Sequence, residues 1–219
     1  MPHRFFSSLD AVALYGMLVE FQPKRMIEVG SGDSTKFARR AIRDHGLRTH
    51  LTSIDPQPRA SIDQLCDLVI RQPLEEIDTA LFEQLHAGDF LFIDSSHRTF
   101  TNSDVTILFM NLLPRLAEGV VVHLHDIFWP FDYPPEWNDR YYSEQYLLGT
   151  YLLNSGGTTP KVLLPNAFIV HDPASVDSCR PLLDISGIPC PVSTTWPYGI
   201  GGSSFWMQTG EGSREAAIV

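Results

Sequence analysis

Apolar positions recur along this chain in two rhythms. Residues 10–21 repeat at helical spacing and stop before Pro23, which predicts an opening helix. Residues 25–30 form a short apolar run ending in a glycine turn. Residues 34–45 then read as a helix that Asp33 or Ser34 can cap. Strand-like runs follow at 49–55, 67–71, 89–94 and 120–126, with helical patterns at 101–116 and 136–154. Residues 161–164 and 168–170 are short strand candidates, and 203–208 is the last. The Pro- and Ser-rich stretch 173–197 reads as surface loop. Strands alternating with helices require a mainly parallel sheet covered on both faces, a doubly wound α/β fold. Ligands of such sheets bind beyond the carboxyl ends of the strands. Asp55, Asp94 and Asp126 end three of the runs, so the fold carries three acids to one edge.

Length and composition narrow the picture. The 219 residues make one sizeable domain, 1–219, with a helix in its first 24 residues and no internal repeat. Cys66, Cys179 and Cys190 are odd in number and lack metal-type spacing, so they read as plain thiols in a reducing cytoplasm. The formal net charge is -10, which argues against a nucleic-acid partner. Arg39, Arg40 and Arg43 lie together, but on one helix, where a solvated face is sufficient reason. No apolar run is long enough to cross a bilayer, and the first residues lack a secretory signal. The expectation is a cytoplasmic protein acting on a small molecule, with no membrane partner. A homo-oligomer is compatible with this and not required by it.

The first strand leads into Glu28-Val29-Gly30-Ser31-Gly32-Asp33-Ser34. Two glycines at a strand-to-helix turn let backbone pass close to a ligand, with the next helix's amides facing the same point. Asp55, at the end of the second strand, can accept both ribose hydroxyls of an adenosine. A dinucleotide fold wants a third glycine, and here Ser34 and Thr35 occupy that region. Glu28 is also ill placed for a pyrophosphate and well placed for the ammonium group of a methionine moiety. The set favours S-adenosyl-L-methionine over NAD.

Ile27-Glu28-Val29-Gly30-Ser31-Gly32 resembles motif I of the class I S-adenosylmethionine-dependent methyltransferases, and Asp55 matches their ribose-holding acid. The likeness covers about 10–208. It is nearest to the group containing cephalosporin-hydroxylase-type proteins and macrolide-sugar O-methyltransferases. Phe92-Ile93-Asp94-Ser95-Ser96-His97, Ser103-Asp104-Val105 and Val122-His123-Leu124-His125-Asp126-Ile127 carry that nearer match. The resemblance implies a Rossmann-like seven-stranded sheet, mostly parallel with its last strand antiparallel, and helices on both faces. It implies a cofactor set of Glu28, Gly30, Ser31, Gly32, Ser34, Asp55 and Asp94, with residues 72–74 near the adenine.

Asp94 and Asp126 end strands that should be neighbours, where two carboxylates repel unless a proton or cation intervenes. A divalent ion held there can orient a substrate hydroxyl and lower its pKa. His97, three residues after Asp94, suits the removal of that hydroxyl's proton near neutral pH. The resembled sugar methyltransferases pair an Asp-x-x-His with two acids on the next strand. Asp94, His97 and Asp126 match, but His125 replaces the first acid. The candidate metal set is therefore Asp94, His125 and Asp126, with Mg²⁺, Mn²⁺ or Fe²⁺ as the ion. Asp94 and Asp126 can equally cap the helices that follow, and His97, His123 and His125 can equally be structural.

Residues 127–146 crowd Phe128, Trp129, Phe131, Tyr133, Trp137, Tyr141, Tyr142 and Tyr146 behind that edge. They read either as a lid over the site or as an interface. The expected activity is O-methylation of a small hydroxylated molecule. Two rivals stand beside it: another enzyme on the same fold, an iron-dependent hydroxylase or NAD-linked oxidoreductase, and a non-catalytic binding subunit.

Overall fold

The computed structural model describes residues 6–153, 160–184 and 201–210. Its centre is a seven-stranded sheet: β1 (Arg25–Val29), β2 (His50–Ile54), β3 (Leu68–Ile70), β4 (Phe90–Ile93), β5 (Val121–Leu124), β6 (Lys161–Pro165) and β7 (Phe205–Gln208). The spatial order is β3-β2-β1-β4-β5-β7-β6. Strands β1 to β5 pair in parallel, and β7 runs antiparallel between β5 and β6. This is the Rossmann-like architecture expected. The order reverses between β1 and β4, so a crevice opens where those strands end.

Alternation along the strands splits the core in two. Ile27, Val29, Leu91, Ile93, Val122 and Leu124 face one side and pack on Leu108, Leu112 and Leu148. Those partners come from the helical stretch Asp104–Arg115 and from α4 (Glu144–Leu153), the former passing from α-helix (α3, Asp104–Ile107) through a π turn to a 3-10 turn. Met26, Leu51, Phe90, Phe92 and Val121 face the other side, against α1 (Ser8–Phe21) and α2 (Asp33–Asp44). Among the described residues no helix is long and apolar enough to cross a membrane.

Three local expectations need correction. Residues 168–170 are helical, within α5 (Asn166–His171), not a strand. The place beside β5 is taken by β7, and Val170 instead packs with Leu9 and Val176 in a small separate cluster. The start of the supposed loop 173–197 is a helix, α6 (Pro173–Asp184). Pro173 suits a first helical position, and Asp172 accepts from the amide of Ser175 at 2.9 Å, so the Ser and Pro residues there are a helix start. The remainder, 185–197 with Cys190, lies outside the described residues. Finally, α2 is capped at Gly32, not by Asp33 or Ser34. The Thr35 hydroxyl accepts from the Gly32 amide at 3.1 Å, while Ser34 turns its hydroxyl to Glu28.

Candidate active site

A cavity of about 950 Å³ occupies the crevice beyond β1 and β4. That is near the upper end of ordinary ligand sites, which run to about 1,000 Å³. Gly30, Ser31, Gly32, Ser34, Asp55, Asp94, His97, His125 and Asp126 all line it. The sequence-predicted set thus comes together, with one exception. Glu28 lies on the α1/α2 side of β1, fully buried, and does not line the cavity. Pro73, Leu74 and Glu75 also line it; Gln72 does not.

The glycine turn is shaped by β4 as much as by any ligand. Gly30 has a left-handed φ of +79°, and a Cβ there would collide with the backbone carbonyl of Asp94. A Cβ on Gly32 would meet nothing, so the wall is open at that point. Asp55 ties the turn to β2: its carboxylate accepts from the amides of Ser31 and Gln57, both at 2.8 Å. Carboxylate oxygens have further lone pairs for hydroxyls in the cavity. Beneath the turn, Glu28 accepts from Ser34 at 2.6 Å and Thr35 at 2.5 Å. Burial pushes its carboxyl up to about 7 against those bonds. An open wall, a polar turn and a cavity-facing carboxylate fit an adenosyl ligand, with Glu28 acting one layer below the floor.

The opposite end of the cavity is a chain of acids and histidines. His97 Nδ1 meets Glu144 Oε2 at 2.9 Å, and Nε2 lies 3.3 Å from Asp94 and 3.7 Å from Asp126. His125 Nδ1 lies 3.2 Å from Asp126 and 3.6 Å from Asp94, with Nε2 3.5 Å from Asp10. Burial alone would lower both imidazoles. For His97 the contacts with Asp94 and Glu144 outweigh it; for His125 the charges of Asp94 and Asp126 do. Both are held well above the ordinary histidine range. Burial likewise opposes ionisation of Asp94, but His125 and His97 keep it below the usual carboxylate range.

His97 and Asp126 both adopt left-handed backbone, φ 60° and 55°, which costs about 1–2 kcal/mol for a residue with a side chain. The cost is met locally. The His97 carbonyl accepts from the amides of Ser143 (2.8 Å) and Glu144 (3.2 Å) at the start of α4. One helix start therefore grips both the backbone and the ring of His97.

The metal expectation does not fit this arrangement. Asp94, His125 and Asp126 are neighbours, but the imidazole nitrogens face the carboxylates as ion-pair partners. Among the described residues no three His, Cys, Asp or Glu side chains form a group that could hold a metal ion. The donor set as built suits shared protons. His123, the other strand histidine, is structural: it stacks on Phe92 at 3.7 Å and contacts Ser204 at 2.9 Å. Burial drives its pKa well below the ordinary value.

Sequence reasoning missed Asp10 and Glu144. Asp10 is buried and accepts from Asn166 and from the amides of Ser203 and Ser204, joining α1 to β7 and to His125. Its one sequence signal is a charge within the apolar helix 10–21. Glu144 gives less, being an acid at a helix start, where capping is ordinary. From the aromatic stretch, Arg140 and Tyr142 line the cavity, and Tyr142 packs on the His97 ring at 4.7 Å. Phe131, Tyr141 and Tyr146 are exposed, so the stretch is only partly a wall.

Residues 27–127 match the family described as Methyltransferase domain. The matched segment runs from β1 to just past β5 and contains the glycine turn, Asp55, His97 and Asp126. It stops short of Arg140 and Glu144. A protein of Archaeoglobus fulgidus described as "Uncharacterized protein" is 28% identical over 86 residues, 36% of this chain and 39% of that protein. The match thus spans well under half of that relative's length. Among solved structures, a cyclopropane-fatty-acyl-phospholipid synthase-like protein from Lactobacillus casei is 14% identical, with 91% of this chain and 90% of that chain covered and a TM-score of 0.43. A variant of the 16S rRNA (adenine(1408)-N(1))-methyltransferase from Catenulisporales acidiphilia is 12% identical, with 90% of each chain covered and a TM-score of 0.36. Likenesses this distant carry nothing about acceptor or reaction.

Proposed function

We propose that this chain is an S-adenosyl-L-methionine-dependent methyltransferase acting on a hydroxyl of a small molecule. The observation that carries the reading is one continuous cavity. It joins the glycine turn and Asp55 at one end to the buried His97–Glu144 pair at the other, within and just beyond the matched segment. When bound, S-adenosyl-L-methionine supplies a methyl group activated by a sulfonium centre. Asp55 is the residue to hold its ribose, with Gly30, Ser31 and Gly32 beside the rest.

Glu144 holds Nδ1 of His97, which fixes the ring's tautomer and leaves Nε2 toward the cavity. With His97 neutral, Nε2 would accept the proton of a hydroxyl presented there, while S-adenosyl-L-methionine would give its methyl group to the hydroxyl oxygen and leave as S-adenosylhomocysteine. Asp94 and Asp126 beside Nε2 stabilise the imidazolium that results. Tyr142 packs on the ring and keeps water from its face. The nearer sequence likeness, to sugar O-methyltransferases, supports a hydroxyl acceptor. The chain's formal charge of -10 supports a small molecule over a nucleic acid.

Calorimetry with S-adenosylmethionine, S-adenosylhomocysteine and NAD tests the cofactor. Micromolar binding of the first two, weakened at least about tenfold by Asp55→Ala, is expected. Absence of binding, or a preference for NAD, refutes the reading. His97→Ala is expected to spare cofactor binding and to cut turnover by about 100-fold or more. Full activity in that variant removes His97 from the role of base.

A further inference from the structure

We propose that the acceptor carries an oxyanion, a carboxylate or a phosphate, held at the cavity mouth by Arg98 and Arg140. The inference rests on the methyltransferase reading and names the class of acceptor.

The charge pattern motivates it. The chain has 26 acidic and 16 basic residues, a field that repels anions overall. Most described cations near the sheet's edge are matched: Lys36 by Asp33, Arg39 by Asp67, Arg71 by Asp63. Arg98 and Arg140 both line the cavity, and neither has a carboxylate within ion-pair distance among the described residues. Four acids of the cavity wall are engaged elsewhere. Asp94 and Asp126 face histidines, Asp104 holds the amide of Ser96 at 2.7 Å, and Asp55 holds two amides.

The two arginines are also built into place. Arg98 Nε donates to the backbone carbonyl of Arg140 at 2.9 Å, which ties the two segments together and leaves its terminal amino groups for another acceptor. The Arg140 guanidinium lies 3.7 Å over the Trp137 ring. Stacking uses the face of the guanidinium and leaves its edge, with the N–H donors, available. Two like charges fixed on hydrogen-bonded segments repel, and an oxyanion shared between their edges relieves that repulsion. Arg98 follows His97 directly in the chain. Arg140 reaches His97 across the single ring of Tyr142, 5.7 Å from the guanidinium and 4.7 Å from the imidazole. A molecule the width of one sugar or aromatic ring can present a hydroxyl to His97 and its anionic group to the arginines.

The test uses the full chain loaded with S-adenosylhomocysteine and titrated by calorimetry with glucose, glucuronate and glucose 6-phosphate. Glucuronate or glucose 6-phosphate should bind at least about tenfold more tightly than glucose, and whichever gains identifies the anion. Arg98→Gln/Arg140→Gln should erase that difference while leaving S-adenosylhomocysteine affinity unchanged. Should the double variant fold poorly, Arg98→Gln alone, at an exposed side chain, should remove a good part of the difference. Equal affinity for all three probes in the parent chain overturns the proposal, as does an anion preference that survives the arginine substitutions. Failure to bind S-adenosylhomocysteine at all would strike the methyltransferase reading itself, which keeps the two failures distinct.

Discussion

Glu28 offers the sharpest test of the geometry beneath the glycine turn. Its carboxyl is fully buried, accepts from the Ser34 and Thr35 hydroxyls within reach of the charge on Asp94, and is pushed up to about 7 from 4.5. Between those values the folded chain keeps a proton that the unfolded chain has released. Stability from this group is therefore complete below pH 4.5, falls as pH rises, and is gone above pH 7. At about 1.4 kcal/mol per pKa unit the total is roughly 3 kcal/mol. Other groups titrate in the same range; His123, buried neutral, acts with the opposite sign. The useful quantity is thus a difference between two chains in which those groups are common.

Glu28→Gln keeps the shape and carries no titrating proton. Its amide oxygen can accept from one hydroxyl. Its amino group can donate to the other, since Thr35 already accepts from the Gly32 amide and has capacity for a second donor. Whatever constant offset this exchange brings, it does not depend on pH. The stability of the variant minus that of the parent should rise by roughly 2–3 kcal/mol between pH 5 and pH 8. Urea unfolding at a series of pH values, compared at equal m, measures it. A difference that stays flat across that range would mean that Glu28 is not the buried, proton-holding group described, and that the turn is seated otherwise.

Three shorter predictions follow. Gly30→Ala puts a Cβ into the Asp94 carbonyl at a left-handed position and should cost about 3 kcal/mol or more in stability; a thermal midpoint within about 2 °C of the parent would refute the close approach. Glu144→Gln removes a carboxylate that helps hold His97 protonated, so the rising limb of the pH–kcat profile should move to lower pH while its plateau drops about 10- to 100-fold; an unmoved limb would make Glu144 merely structural. Prior chelation followed by assay in metal-free buffer should alter the rate by less than about twofold; strict dependence on added Mg²⁺ or Mn²⁺ would overturn the proton-sharing description of Asp94, His125 and Asp126.

What the sequence made legible was whatever is written locally. Strands ending in Asp55, Asp94 and Asp126 are short-range patterns, and the parallel architecture that aligns them follows from strand–helix alternation. The glycine turn is equally local, although the close neighbour of Gly30 is the Asp94 backbone, on a strand that sequence spacing cannot place against it. Asp10 and Glu144 were not legible because their meaning is wholly tertiary. Asp10 lies next to His125 only because α1 folds onto the end of β7, and Glu144 meets His97 only because α4 begins where the loop after β4 turns back. Residues 168–170 show the reverse error. Their β-favouring composition was read correctly, but the neighbouring position in the sheet belongs to β7.

Position 125 decides what kind of site the strand ends make. An acid there would set three carboxylates, with Asp94 and Asp126, around one point and leave Asp10 behind them without a positive charge beside it. Such a group repels itself until a cation enters. Histidine changes the sign of the problem: His125 lies between Asp10 on one side and Asp94 and Asp126 on the other, and His97 lies between Glu144 and the same two acids. Each imidazole is thereby stabilised as a cation, and the four carboxylates Asp10, Asp94, Asp126 and Glu144 share these two positive charges. The two imidazoles thus offset part of the repulsion that a cation would relieve among three carboxylates. The same contacts raise the pKa of His97 well above the ordinary histidine value, so if His97 is the base proposed above, its working range is displaced toward alkaline pH.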